Sequence, residues 1–338
     1  MTNILRKLPA QLTRNWLTLL LVPIVLIVLP VQAADEVDEE KAQSVLELKH
    51  NSDYSDAGAD SCVNCHDAES DFPATKIFMT AHGNRTNPKS PMAQFQCEAC
   101  HGPGGEHTVR RVEEGEVREP MIDFKNHNVP VGELNQICSS CHKSTDTHWQ
   151  GSTHEQSDVA CSDCHVVHES KDIIKEKHNQ VMVCGACHQE QKLATKRFSR
   201  HPLASSDQIV GQGQMGCTDC HSSHGSFSDH MLVEETVNDT CFQCHAEKRG
   251  PFVWEHEPVT DSCETCHTSH GSNQPDLLVQ RAPFLCQSCH SSEGHPALAY
   301  DRPGASPLSE TMMLGRSCSS CHSQVHGSNH PAGSLLQR

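Results

Sequence analysis

Apolar residues are concentrated at one end of this chain. Leu17 to Leu29 is a run of 13 residues broken only by Thr18 and Pro23, preceded by Arg6, Lys7 and Arg14 and followed by Val31-Gln32-Ala33. The run is too short for a spanning helix of about 20 residues. Its basic flank and small-residue site read as a secretory signal peptide over residues 1–33, cleaved before Ala34. An uncleaved anchor is the alternative. After Ala34 nothing approaches 18 consecutive apolar residues, so the mature chain is expected to have no helix able to span a bilayer. The remainder is polar and rich in Gly, Pro and Ser. It predicts short helices, for example Gln189 to Arg197, and no evident strands. An acidic N-terminal segment covers 34–61, and two long connectors run from Gly102 to Ile137 and from Ala297 to Gly315.

Composition sharpens this picture. The hydrophobic fraction is 36%, below the roughly 45–50% of an ordinary globular chain. A chain of 338 residues should bury a core, and this one lacks the side chains to build it. Something else must fill the interior. The net charge of −17 makes duplex nucleic acid a poor partner.

The cysteines supply the missing element. All 20 fall into Cys-x-x-Cys pairs: Cys62/Cys65, Cys97/Cys100, Cys138/Cys141, Cys161/Cys164, Cys184/Cys187, Cys217/Cys220, Cys241/Cys244, Cys263/Cys266, Cys286/Cys289 and Cys318/Cys321. A histidine follows each pair: His66, His101, His142, His165, His188, His221, His245, His267, His290 and His322. This is the c-type haem attachment unit. Two thiols must reach the vinyl groups on one porphyrin edge while an imidazole reaches the iron, and residues i, i+3 and i+4 share one face of a helical turn. A disulfide scaffold gives no reason for the invariable histidine. Zinc knuckles would need a second ligand pair in register. The expected cofactor is therefore ten covalently bound haem c groups, whose faces replace the apolar core, and the chain without haem should not fold.

Sixteen histidines remain for the sixth position on each iron. A histidine closely follows each even-numbered motif: His107, His168, His224, His270 and His326. After each odd-numbered motif one comes later, before the next pair: His82, His154, His201, His256 and His295. These ten are the candidate distal ligands. His50, His127, His148, His178, His230 and His330 are surplus, and His330 competes with His295 and His326. The eight methionines after the signal segment show no relation to the motifs and read as packing residues. The alternation makes five two-haem repeats, beginning at Cys62, Cys138, Cys184, Cys241 and Cys286, an array whose units contact mainly their neighbours. A ready model is mutual ligation inside each repeat, with the late His serving the following haem and the early His the preceding one. On that model His154, His168, His256 and His270 act within their own repeats. The spacing alone does not prove this pairing.

Three stretches carry a family resemblance: Gln96-Cys-Glu-Ala-Cys-His-Gly-Pro, Val237-Asn-Asp-Thr-Cys-Phe-Gln-Cys-His-Ala-Glu-Lys-Arg-Gly-Pro and Gly315-Arg-Ser-Cys-Ser-Ser-Cys-His-Ser-Gln-Val-His-Gly-Ser-Asn-His-Pro. From about Ala59 to Arg338 the chain resembles the MtrA/DmsE family of exported decahaem cytochromes, and the last two stretches look closest to the MtrA branch. The resemblance implies a multihaem cytochrome c fold, mostly coil with short α-helices wrapped around the haems, elongated, with little or no β structure. It implies two pentahaem halves, 62–205 and 206–338. It also implies a non-enzymatic electron conduit located in the periplasm and tied to the outer membrane. Periplasmic or inner-membrane cytochromes would be its donors. An outer-membrane β-barrel would enclose it, and an outer-surface multihaem cytochrome or reductase would take its electrons, onward to metal oxides. In the DmsE branch the acceptor is an extracellular dimethyl sulfoxide reductase. A soluble periplasmic shuttle remains an alternative. A multihaem reductase is a further one, although all ten motifs are regular and none is the Cys-x-x-Cys-Lys variant that often marks an open iron.

A linear array with little aliphatic core gains nothing from a spherical shape. A compact domain of about 305 residues has a radius of gyration of about 19 Å. Small-angle scattering of the mature haem-loaded protein is expected to return a clearly larger value, and a compact sphere would overturn this reading.

Overall fold

The computed structural model describes residues 53–109, 118–204, 215–290, 318–331 and 333–337. The expected signal peptide, residues 34–52 of the acidic segment, the Ala297–Gly315 connector and His295 lie outside the described residues. The chain divides into two units, Met1–Lys41 and Ala42–Arg338. Every described residue belongs to the second.

Short helices and irregular turns make up the fold. Among the described residues there is no strand, and non-helical backbone pairing is confined to isolated bridges such as Ser199 with Ser272 and Trp254 with Ser328. The expected helix after the fifth motif is present as Gln189–Ala194. Each odd motif has its first cysteine in or at the C-terminal end of a short helix: Ala59–Val63, Val131–Ser139, Lys177–Cys184, Val237–Phe242 and Ala282–Gln287. Each even motif opens a turn. The turns are Glu98–His101 after Cys97, Cys161–Cys164, Cys217–Asp219, Cys263–Thr265 and Cys318–Ser320. Two of these turns cap themselves with the aspartate inside the motif. Asp163 accepts from the Ala160 N–H at 2.8 Å, and Asp219 from the Gly216 N–H at 2.7 Å.

Within a repeat, a buried amide joins the two motifs. Asn135 donates to the Val159 carbonyl and accepts from the Cys161 N–H at 2.8 Å. Asn238 does the same with the Val259 carbonyl and the Cys263 N–H at 2.8 Å. Both asparagines stand three residues before the odd cysteine. In the third repeat Gln180 takes this role, accepting from the Thr218 N–H. All three amides are buried, so each needs its partners.

Between repeats, the segment carrying a late histidine pairs with the segment carrying the next repeat's early one. Ser199 and Ser272 exchange both backbone hydrogen bonds, as do Trp254 and Ser328. Gly225 and Gly271, each following an early histidine, have φ of 112° and 141°, which L side chains rarely adopt. A Cβ at either would collide with the carbonyl of His148 or Ala194 in the preceding repeat. The His-Gly pairs in the sequence are therefore docking points.

Residues 118–137 of the Gly102–Ile137 connector pack through their apolar side chains. They supply the fully buried cluster of Ile122, Val129 and Leu134, flanked by Phe124 and Ile137. These few apolar residues close on one another because Asn128 ties the loop to the Met121 carbonyl and the Asp123 N–H. Elsewhere large apolar side chains stay open to solvent: Phe198 is 79% exposed and Phe227 fully so.

Asn238→Ala strands the half-buried Cys263 N–H and removes bonds to two carbonyls. The expected loss is about 1–3 kcal/mol, read as a fall in the denaturant midpoint of the haem-loaded protein. Lys76→Ala breaks the exposed Lys76–Glu169 ion pair at 2.9 Å and should cost about 1 kcal/mol or less.

Candidate haem-binding sites

All ten motifs adopt the same turn. In each, the histidine N–H donates to the carbonyl of the first cysteine, from His66 to Cys62 through His322 to Cys318, at 2.9–3.0 Å. Both thiols and the imidazole therefore leave one turn together, as attachment to a porphyrin edge requires.

Nine motif imidazoles face a second imidazole. His66 faces His107 at 6.3 Å between ring centres, His101 faces His168 at 5.8 Å, and His142 faces His82 at 5.9 Å. His165 faces His224 at 5.9 Å, His188 faces His154 at 6.1 Å, and His221 faces His270 at 5.9 Å. His245 faces His201 at 6.5 Å, His267 faces His326 at 6.1 Å, and His290 faces His256 at 6.0 Å. An imidazole–metal bond is about 2 Å, so two imidazoles on opposite sides of one ion hold their ring centres roughly 6 Å apart. The observed spacing is that of an iron between each pair. Among the described residues no group of three or more His, Cys, Asp or Glu is gathered around a common point. Two axial nitrogens per site suit an ion whose other four ligands come from a porphyrin, and do not suit tetrahedral zinc.

This arrangement corrects the pairing inside repeats. His154 faces His188, His168 faces His101, His256 faces His290 and His270 faces His221, each in a neighbouring repeat. The docking described above is the physical cause. His154 and His256 donate from Nδ1 to the Ser223 and Val325 carbonyls of the next repeat, which turns Nε2 away from their own even motif. A rule results. An even motif faces the early histidine of the next even motif, and an odd motif faces the late histidine from the preceding odd–even interval. The first motif has no preceding interval, and His66 meets His107 instead.

The tautomers are held as metal ligation needs, with Nδ1–H donated outward so that Nε2 is free. His66, His101, His221, His267 and His322 donate to the carbonyls of Phe72, Ile122, His230, Asp276 and Leu335. His107 and His201 donate to the carbonyls of Glu119 and Ser269. His165 donates to the Asp172 carboxylate. Burial pushes His82, His101, His168, His224, His270 and His326 below the usual imidazole range. For His82, His168, His224 and His270 the facing imidazole adds to this. A neutral ring is the form that binds a metal.

The cysteines put the sites in order. All 20 are free. The first thiols within each repeat lie close enough to shift one another's ionisation: Cys62 with Cys97, Cys138 with Cys161, Cys184 with Cys217, Cys241 with Cys263 and Cys286 with Cys318. Between repeats, Cys100 lies near Cys138, Cys164 near Cys184, Cys220 near Cys241 and Cys266 near Cys286. The attachment edges thus follow one another in chain order.

In the odd motifs and in the tenth the two thiols are not equally enclosed, a difference that the uniform spacing does not reveal. Cys65, Cys141, Cys187, Cys244, Cys289 and Cys321 are exposed, whereas the other cysteines are half-buried. The first five are the second cysteines of the odd motifs. In each odd motif the short helix ends before the second cysteine is reached. The first thiol is covered by its contact with the even motif, and the second has passed beyond the packed helix. In the even motifs the second cysteine lies beside the next repeat and is shielded by it. Cys321 belongs to the tenth motif and has no such neighbour. All 20 thiols are candidate attachment sites.

Sequence reasoning missed the buried amides and the Nδ1 acceptors. The spacing Asn-x-x-Cys-x-x-Cys-His at Asn135 and Asn238 was a readable signal for the first. The acceptors are mostly backbone carbonyls and leave none. Of the surplus histidines, His148 lies against Phe227, His230 lends its carbonyl to His221, and the Nε2 of His127 lies 3.2 Å from Asp163.

In the haem-loaded protein His256→Ala should open the iron attached at Cys286 and Cys289, giving one high-spin, carbon monoxide-binding haem when reduced. Removing that haem through Cys286→Ala and Cys289→Ala should abolish the new signal, whereas removing the haem at Cys263 and Cys266 should leave it. The reverse result would restore pairing inside the repeat.

Known proteins resemble this chain in sequence. Residues 208–250 and 256–295 match the doubled CXXCH motif family, and residues 97–187 match the cytochrome c-type protein NrfB-like family. The chain is 45% identical to the multiheme cytochrome MtrA of Shewanella baltica over 305 residues, 88% of this chain and 87% of that one. It is 29% identical to the cytochrome c-type protein NrfB of Escherichia coli over 140 residues, 39% of this chain and 65% of that one. It is 23% identical to the high-molecular-weight cytochrome c of Nitratidesulfovibrio vulgaris over 205 residues, 53% of this chain and 36% of that one. With regular attachment turns, opposed imidazoles and this extent of identity, the chain belongs to the MtrA family of multihaem c-type cytochromes and carries covalently bound haem for electron transfer.

Proposed function

We propose that this chain is a ten-haem electron conduit, each iron held between two histidines, carrying electrons from periplasmic cytochrome donors to an acceptor at the outer surface. The observation that carries the reading is the opposition of nine motif imidazoles to nine others. An iron so held has no open position for a substrate, and its only chemistry is to change oxidation state. When bound, the haems supply that one-electron chemistry. The protein fixes their axial ligands, tautomers and sequence. The pairing rule, read from the other end, assigns His295 to His322, as His107 serves His66. All-histidine ligation favours low potentials relative to methionine ligation.

The route across the outer membrane is part of the same proposal. Among the described residues no helix is long and apolar enough to cross a membrane. A bilayer admits only helices and closed barrels, and the chain is acidic, at −17. A partner β-barrel with a wide polar lumen offers a suitable path. The relative in Shewanella baltica is named a multiheme cytochrome, which supports the electron-transfer part of this reading. The acceptor would be an outer-surface multihaem cytochrome or reductase. Fractionation of cells with and without the barrel partner provides the test. The protein should track with outer membranes when the barrel is present and be lost from them when it is absent. Liposomes holding a redox dye should pass electrons only with both proteins inserted. A cytochrome found in the soluble periplasm of both strains would instead be a shuttle.

A further inference from the structure

The five even motifs share a local device, and one of them is built differently. In the third repeat the His221 Nδ1–H donates to the His230 carbonyl at 3.0 Å, and the next backbone N–H, from Ser222, donates to the Met231 carbonyl at 2.7 Å. In the fourth, His267 donates to the Asp276 carbonyl at 2.7 Å and Thr268 to the Leu277 carbonyl at 2.7 Å. In both, the two acceptors are consecutive backbone carbonyls nine and ten residues past the motif histidine. The returning loop of the second repeat offers a side chain instead. Asp172, seven residues past His165, replaces both carbonyls. Its Oδ2 accepts from His165 Nδ1 at 2.6 Å, and its Oδ1 accepts from the Val166 N–H at 3.2 Å. His101 and His322, the remaining even-motif histidines, donate to the carbonyls of Ile122 and Leu335.

The substitution changes charge while keeping geometry. A carbonyl is a neutral dipole, whereas a carboxylate is an anion, and a hydrogen bond to an anion is shorter and stronger. It draws the Nδ1 proton away from the ring and makes the other nitrogen a more basic ligand. A more basic axial ligand stabilises ferric over ferrous iron, and hydrogen bonding of this kind is one of the protein's means of setting potential. The side chain of Asp172 is only 18% exposed, so solvent screens this charge incompletely. Among the described residues, Asp123 acts on His101 through its charge alone, and Glu247 near His245 stands 4.0 Å away with both side chains more than half exposed. That distance is too long for a hydrogen bond.

Resting on the haem reading above, we propose that Asp172 is a positioning residue that gives the haem on Cys161, Cys164 and His165 the lowest potential of the five even-motif haems. That haem is then the last of the five to accept an electron, a raised step in the path between the sites at Cys138 and Cys184.

The test uses the full haem-loaded chain in a reductive titration followed by optical and electron paramagnetic resonance spectroscopy. Asp172→Asn keeps the size and removes the charge. About one tenth of the total amplitude should move to higher potential, all irons remaining low-spin and closed to carbon monoxide. Asp172→Glu, which retains the carboxylate, should stay near the wild-type curve. In an otherwise native chain, Cys161→Ala with Cys164→Ala should delete a component from the low-potential end. This second variant decides the matter if Asp172→Asn does not accumulate. An Asp172→Asn curve superimposable on wild type, or a deleted component at the high-potential end, would overturn the proposal and leave the cytochrome reading intact. A mass showing no haem on Cys161 and Cys164 of the native chain would overturn both.

Discussion

Two imidazoles held about 6 Å apart, with one ion's width between them, form the constraint from which the rest of this structure follows. Each pair joins one residue on a Cys-x-x-Cys-His turn to another elsewhere in the chain. In the interior of the array that other residue belongs to a neighbouring repeat, as with His165 and His224 or His188 and His154. A single repeat therefore cannot complete its own sites. Among the described residues, eight of the nine pairs form only in the stacked array, and these contacts take the part that interdigitated side chains play in an ordinary core.

That division of labour explains the unusual composition. The buried apolar cluster of Ile122, Val129 and Leu134 is small, while Phe198 and Phe227 lie open. Apolar burial on this scale cannot offset the chain entropy of ordering so many coil residues. Metal binding couples directly to folding when a site does not exist in the unfolded chain, and covalent attachment keeps the cofactor present throughout. Protein–protein hydrogen bonds then serve registration more than stability. Asn135 and Asn238 align the two motifs of a repeat, and glycines after the early histidines let adjacent repeats approach.

Electron flow asks for closed irons, sites in order and ordered potentials, and each has a distinct structural source. Closure comes from the opposed histidines. The order of the sites follows the cysteines, which neighbour one another in chain order within and between repeats. Potentials depend on what each Nδ1 touches, and here the molecule departs from its own symmetry at Asp172.

The amino-acid sequence alone determined the chemistry: the attachment turns, the motif histidines and the set of histidines able to face them. These are local facts, since a thioether pair and its axial ligand must come from one turn, and the five-residue unit records them completely. The absence of strands among the described residues and the shortness of their helices were legible for the same reason, in the Gly, Pro and Ser between motifs. The unequal cover of the two thiols in a motif was not legible, because it depends on where each helix ends and which repeat lies alongside, as at Cys141 and Cys164. The partner of each histidine was not legible either. The seven-residue lead from His154 to Cys161 suggests a local bond, yet the Ser223 carbonyl turns that ring toward His188. Nor could the sequence single out Asp172 among 43 acidic residues, because its role depends on a loop returning to His165. Spacing along a chain limits reach. Direction is decided by backbone hydrogen bonds between repeats, and these exist only in the folded array.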